Sequence, residues 1–95
     1  MKPRVTFSLN NNGELEIWLN ELGRDLLVEE LRKLSKQNDH FHLQPEGFVD
    51  NVPTQGRAYR EGDQVFEWGK VLFRPDEWDR KYFPHVLEPP SNSGG

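Results

Sequence analysis

The sequence has no cysteine, and only one of its 95 residues is methionine. Without cysteine there is no disulfide framework, no thiol nucleophile and no cysteine-ligated zinc. No apolar run approaches the roughly 20 residues that cross a bilayer as a helix. The opening residues, Met1-Lys2-Pro3-Arg4-Val5-Thr6, read as the start of a strand and lack the apolar core of a signal peptide. Basic residues are in deficit: twelve Lys and Arg stand against sixteen Asp and Glu, for a net charge of −4. The imbalance is concentrated in residues 10–50, which hold nine acids and four bases. Nucleic acid needs a basic patch to neutralise phosphates, so it is excluded as a partner. An acidic surface instead suits a basic protein partner. These absences predict a soluble, cytoplasmic, single-domain protein.

Catalytic signatures are missing as well. There is no Gly-rich phosphate loop, no Gly-x-Ser-x-Gly and no His-Glu-x-x-His. Acid clusters at Glu14/Glu16, Glu29/Glu30 and Asp76/Glu77/Asp79 read as solvated strand faces and helix caps, not as general acid–base pairs. The expectation is a non-enzyme without a cofactor.

What is present is a sequence of short amphipathic elements. Val5, Phe7 and Leu9 alternate with polar residues, as do Leu15, Ile17 and Leu19, with Asn10-Asn11-Asn12-Gly13 between them. That is a hairpin signal. A two-residue Asn12-Gly13 turn would pair Leu9 with Glu16 and split the apolar set. A three-residue loop, Asn11 to Gly13, pairs Leu9 with Leu15, Phe7 with Ile17 and Val5 with Leu19. Only the second puts all six on one face, with Gly13 in the left-handed region. Asn20 is a good N-cap, and Leu22, Leu26, Leu27, Leu31 and Leu34 recur at helical spacing from Glu21 to about Gln37. Their stripe is expected to face the hairpin.

Residues 40–44 read as a short strand. Residues 48–63 read as a long loop with one irregular strand near Arg57 to Arg60. The run Val65 to Arg74 reads either as a strand bulged at Gly69 or as a tight hairpin at Trp68-Gly69. Asp76 looks like an N-cap, with Asp79 in a capping-box relation, for a helix from Glu77 to about Tyr82. Residues 88–95, rich in Pro, Ser and Gly, read as a disordered tail. The fold class is therefore α+β: a small antiparallel sheet, built from the N-terminal hairpin and two or more later strands, with one main helix on one face and a short C-terminal helix. The domain spans residues 1–87.

Candidate functional residues fall in three places. Trp18 faces away from the main helix, beside Glu14 and Glu16; an aromatic among acids is a common protein-binding composition, and a Trp covered by the long loop is the other reading. Arg57, Tyr59 and Arg60 in that loop add an aromatic–Arg set. His40 and His42 project from one face of a strand and are the only residues with the spacing of a shared metal; a site would need a third ligand such as Asp39, Glu67 or His85. No metal is expected, and hydrogen bonding or stacking of the two His on Trp18 is the simpler reading. Trp68 is expected in the core, and Trp78 is expected to plug one end of the sheet with Phe83.

Several of these segments resemble a known family. Glu14-Leu-Glu-Ile-Trp-Leu-Asn20, the Leu-rich helix ending before Asn38-Asp39-His40-Phe41-His42-Leu43, Glu67-Trp68-Gly69-Lys70-Val71 and Pro75-Asp76-Glu77-Trp78 are similar to bacterial polymorphic-toxin immunity proteins, in particular the immunity protein 32 family. The resemblance implies a protein that binds and neutralises a cognate toxin domain by occlusion, with no catalytic residue. On this expectation Trp18, Glu14, Glu16, His40, His42, Arg57 and Tyr59 are the partner-binding residues. A small homodimeric module without catalytic activity is the alternative, and a metal-dependent enzyme using His40 and His42 is the third.

Overall fold

The computed structural model describes residues 1–48 and 52–87. The tail at 88–95 and the part of the long loop at 49–51 lie outside the described residues. The fold is α+β. Strands β1 (Val5–Leu9) and β2 (Leu15–Leu19) lead into helix α1 (Glu21–Arg32). Strands β3 (His40–Pro45), β4 (Val52–Thr54), β5 (Gln64–Phe66) and β6 (Gly69–Leu72) follow, then helix α2 (Asp76–Tyr82) and a 3₁₀ turn at Pro84–Val86.

The hairpin takes the three-residue loop. Val5 pairs with Leu19, Phe7 with Ile17 and Leu9 with Leu15. Gly13 has φ +83°, the left-handed conformation this loop requires. Asn10 holds the loop: its carbonyl accepts from Gly13 N–H at 3.0 Å, and its side-chain oxygen accepts from Asn12 and Glu14 N–H at 2.9 and 3.0 Å.

Asn20 starts α1 and also fastens it to β1. Its side-chain oxygen accepts from Gly23 N–H at 2.7 Å and from Arg4 N–H at 2.8 Å, while its amide donates to Lys2 O at 3.0 Å. The helix stops at Arg32, short of the expected Gln37. Ser35 and Asn38 close a turn on each other's backbones, and the Asn38 amide donates to Lys33 O at 3.0 Å. Ser and Asn side chains compete for backbone groups in this way and end helices.

The later strands leave the hairpin and form a sheet of their own. One sheet has the order β2-β1-β5, the other β4-β3-β6. β3 pairs antiparallel with β6 and parallel with β4. The irregular strand expected near Arg57 to Arg60 is absent; the strand in that loop is β4. Gly69 is neither a bulge nor a hairpin tip. The chain changes sheets at Glu67-Trp68, and Gly69 then lies against Leu43, where a Cβ would sit 3.3 Å from the Leu43 side chain. The two sheets are tied by Gln55 N–H to Val5 O at 2.9 Å and by the Thr54 hydroxyl to Glu67 O at 2.7 Å.

The core is small. Val5, Phe41, Leu43 and Val52 are buried, and Phe7, Leu27, Leu34 and Val71 pack against them. Leu27 of α1 and Leu34 in the turn after it therefore settle on the junction of the two sheets, not across the whole hairpin. Leu22, Val28 and Leu31 stay exposed. Trp68 is not core: it is 60% exposed and meets Phe48 ring to ring at 5.2 Å. Trp78 and Phe83 do not plug a sheet. Each packs under the Arg74 guanidinium, at 5.6 and 5.0 Å, while Arg74 also bonds Asp79 at 2.9 Å. With its carboxylate so engaged, Asp79 cannot close a capping box, and α2 begins after Pro75 without a side-chain cap.

Candidate protein-binding site

The hairpin sheet has two faces, and their coverage is the reverse of their polarity. Thr6 and Ser8 of β1 are completely buried. They lie on the polar face, under Trp18 and the loop that contains Tyr59 and Arg60. Trp18 stacks on Tyr59 with ring centroids 4.2 Å apart and planes within 7°. Its indole N–H donates to the Ser8 hydroxyl at 3.1 Å, and the Arg60 guanidinium lies 5.2 Å from the ring. Arg60 also pairs with the Glu16 carboxylate and, at 3.3 Å, with Asp63. Asn10 donates to Glu14 at 3.0 Å and to Glu16 at 3.2 Å.

Trp18, Glu14, Glu16 and Tyr59 thus form one connected group. Trp18 is the loop's anchor, half-covered by it, and not a free aromatic among acids. Arg60 joins this group. Arg57 lies on the exposed surface of the same loop.

The apolar face is open along β2 and at Phe66. Leu15 is 61% exposed, Ile17 47%, Leu19 40% and Phe66 38%. Phe66 pairs with Phe7, which pairs with Ile17, so these side chains run across three strands on one side of the sheet. Along β1 that side is closed by the core at Val5 and partly at Phe7. Glu14 belongs to the polar side, and Glu21 opens α1 just past the end of β2.

His40 and His42 belong to the other sheet, opposite Leu72 and Lys70 of β6. Their rings meet edge to face at 5.1 Å. The His40 ring nitrogen Nδ1 is 2.8 Å from an Asp39 carboxylate oxygen. That hydrogen bond is the main reason the Asp39 carboxyl is held below its ordinary value. His40 and His42 do not stack on Trp18, which is occupied by Tyr59. No cluster of three or more His, Asp or Glu able to hold a metal occurs among the described residues.

A shallow depression of about 470 Å³ lies where β2 meets α1, lined by Arg4, Leu19, Asn20, Glu21 and Arg24. The groups with displaced pKa values belong to exposed surface pairs. Arg24 is raised by its bond to Asp25, and Glu77 is lowered by its bond to Lys36. Among the described residues no helix is long and apolar enough to cross a membrane.

No protein-family model, curated protein or solved structure matches this chain.

Proposed function

We propose that this chain is a non-catalytic binding protein that neutralises a toxin domain by covering it, as a bacterial polymorphic-toxin immunity protein does. The observation that carries the binding part is the open apolar face of Leu15, Ile17, Leu19 and Phe66. A small domain that leaves such a contiguous face wet does so most often for a protein partner. The net acidic charge of the chain favours a basic partner and speeds encounter with it. The kind of partner comes from the resemblance of residues 14–44 and 64–87 to immunity proteins. A chain without cysteine also suits action in the reducing cytoplasm.

The test is co-expression with the toxin domain encoded beside it. Rescue of growth, with the two proteins co-purifying in equal amounts, is the expected result. Phe66→Lys should abolish co-purification, and Glu14→Lys should slow association and flatten its salt dependence. Absence of both rescue and binding would refute the reading. Rescue that survives Phe66→Lys would move the interface elsewhere.

A further inference from the structure

An edge strand displays unpaired N–H and C=O groups, and folds blunt such edges with proline, lysine or short length. The two sheets end in β2, β5, β4 and β6. β4 contains Pro53, β6 contains Lys70, and β5 has three residues. β2 has five residues, Leu15-Glu16-Ile17-Trp18-Leu19, and none of these devices.

The hairpin geometry says which groups β2 offers. Asn10 N–H donates to Glu14 O at 2.9 Å, and Asn20 N–H donates to Arg4 O at 3.2 Å. Bonded and non-bonded pairs alternate along an antiparallel ladder. Glu14, Glu16, Trp18 and Asn20 therefore turn their main-chain groups toward β1. Leu15, Ile17 and Leu19 turn theirs outward, and these are also the residues whose side chains stand exposed.

We propose that β2 is a self-pairing edge: two copies of the chain join β2 to β2 antiparallel about a two-fold axis at Ile17. In that register Ile17 faces Ile17 of the second copy, and Leu15 faces Leu19. Every outward N–H and C=O of the strand finds a partner. The apolar faces of both copies become one continuous floor.

Charge selects this register and makes self-pairing compatible with an acidic chain. Glu16 stands opposite Trp18 of the second copy, and its own charge is already met by Arg60. Glu14 stands opposite the uncharged Asn20. An axis at Glu16 would set two carboxylates directly across from each other, which destabilises a strand pair. An axis at Trp18 would put Leu15 opposite Glu21, which belongs to α1. Pairing through the backbone leaves the apolar floor free for another protein, so this inference does not depend on the toxin reading.

The chain has no cysteine, so single-cysteine variants report the register directly. Residues facing each other across bonded antiparallel sites are about 5.5 Å apart at Cα, within the span of a disulfide. Under mild oxidation Ile17→Cys should cross-link to itself. Leu15→Cys and Leu19→Cys should each fail alone and cross-link when mixed. Wild-type chain at about 100 µM, a concentration that fills a micromolar dimer, should scatter light as a dimer. Ile17→Lys should raise the dissociation constant at least tenfold while keeping the wild-type circular dichroism. If that variant does not fold, the cysteine pattern decides by itself. A wild-type monomer at that concentration overturns the proposal, as does self-linking of Leu15→Cys equal to that of Ile17→Cys.

Discussion

Two residues show how a local preference is overruled by what lies next to it. Gly23 stands in the first turn of α1, where alanine would ordinarily stabilise the helix by about 1 kcal/mol. A Cβ there would lie 2.3 Å from the carbonyl oxygen of Arg4, which is backbone and fixed by Asn20. Gly23→Ala should therefore destabilise the protein, by about 1–3 kcal/mol as overpacking does. Urea unfolding checks the sign, and a stabilised variant would show that the helix and β1 are not so close. Trp18 is the second case. Its ring holds Tyr59 and Arg60 over two buried hydroxyl residues, so Trp18→Ala should cost about 2–4 kcal/mol. Trp18→Phe keeps the stack and loses the bond to Ser8, a loss of about 1 kcal/mol. The ratio of the two losses in denaturant titrations separates stacking from hydrogen bonding.

At the scale of elements, the link between the end of α1 and α2 is electrostatic. Lys36, just past α1, bonds Glu77 in the first turn of α2 at 2.5 Å. This holds the Glu77 carboxyl below its ordinary value. A carboxyl lowered on folding binds protons more weakly in the folded state. Its contribution is complete above the unfolded value and is lost as pH falls through the folded one. Both side chains are exposed, so the effect on stability is small. The titration itself is the measurement. The Glu77 side-chain carbon should titrate below the ordinary value of a glutamate by NMR, and Lys36→Gln should raise it toward that value. The two α elements have different origins of stability. α1 is capped by Asn20 and packs Leu27 on the core, whereas α2 has no side-chain cap and rests on Arg74. Amide exchange should be slower in α1 than in α2.

The whole molecule is defined by the contrast between a buried apolar core, four residues among those described, and an open apolar surface along β2 and at Phe66. Phe41 is 2% exposed, and Phe41→Ala should cost about 3–5 kcal/mol, enough to unfold much of a domain of ordinary stability. In solution dilute enough for the chain to be monomeric, Ile17→Thr, on the open face, should change stability by under about 0.5 kcal/mol, as at ordinary surface positions. Equal losses at the two positions in calorimetry would mean that the apolar face is covered.

The hairpin register, the cap at Asn20, the α+β class and the place of the C-terminal helix were legible because each depends on neighbours in sequence. Side-chain alternation, the turn at Asn10 to Gly13 and capping are local. The alternation of Val5, Phe7, Leu9, Leu15, Ile17 and Leu19 established that they share a face, but not what faces them. That was decided by Leu27 of α1 and Leu34 just past it packing on the core of Val5, Phe41, Leu43 and Val52, a contact between segments distant in the chain. The same distance hid the role of Trp18, whose partner Tyr59 comes from the far loop, and the exposure of Trp68, which follows from the change of sheets beside it. By itself the sequence determined which residues lie on which side of each element. Tertiary structure alone decided which sides are buried, because one amphipathic helix has apolar surface for a single junction, and the chain spends it where the two sheets meet.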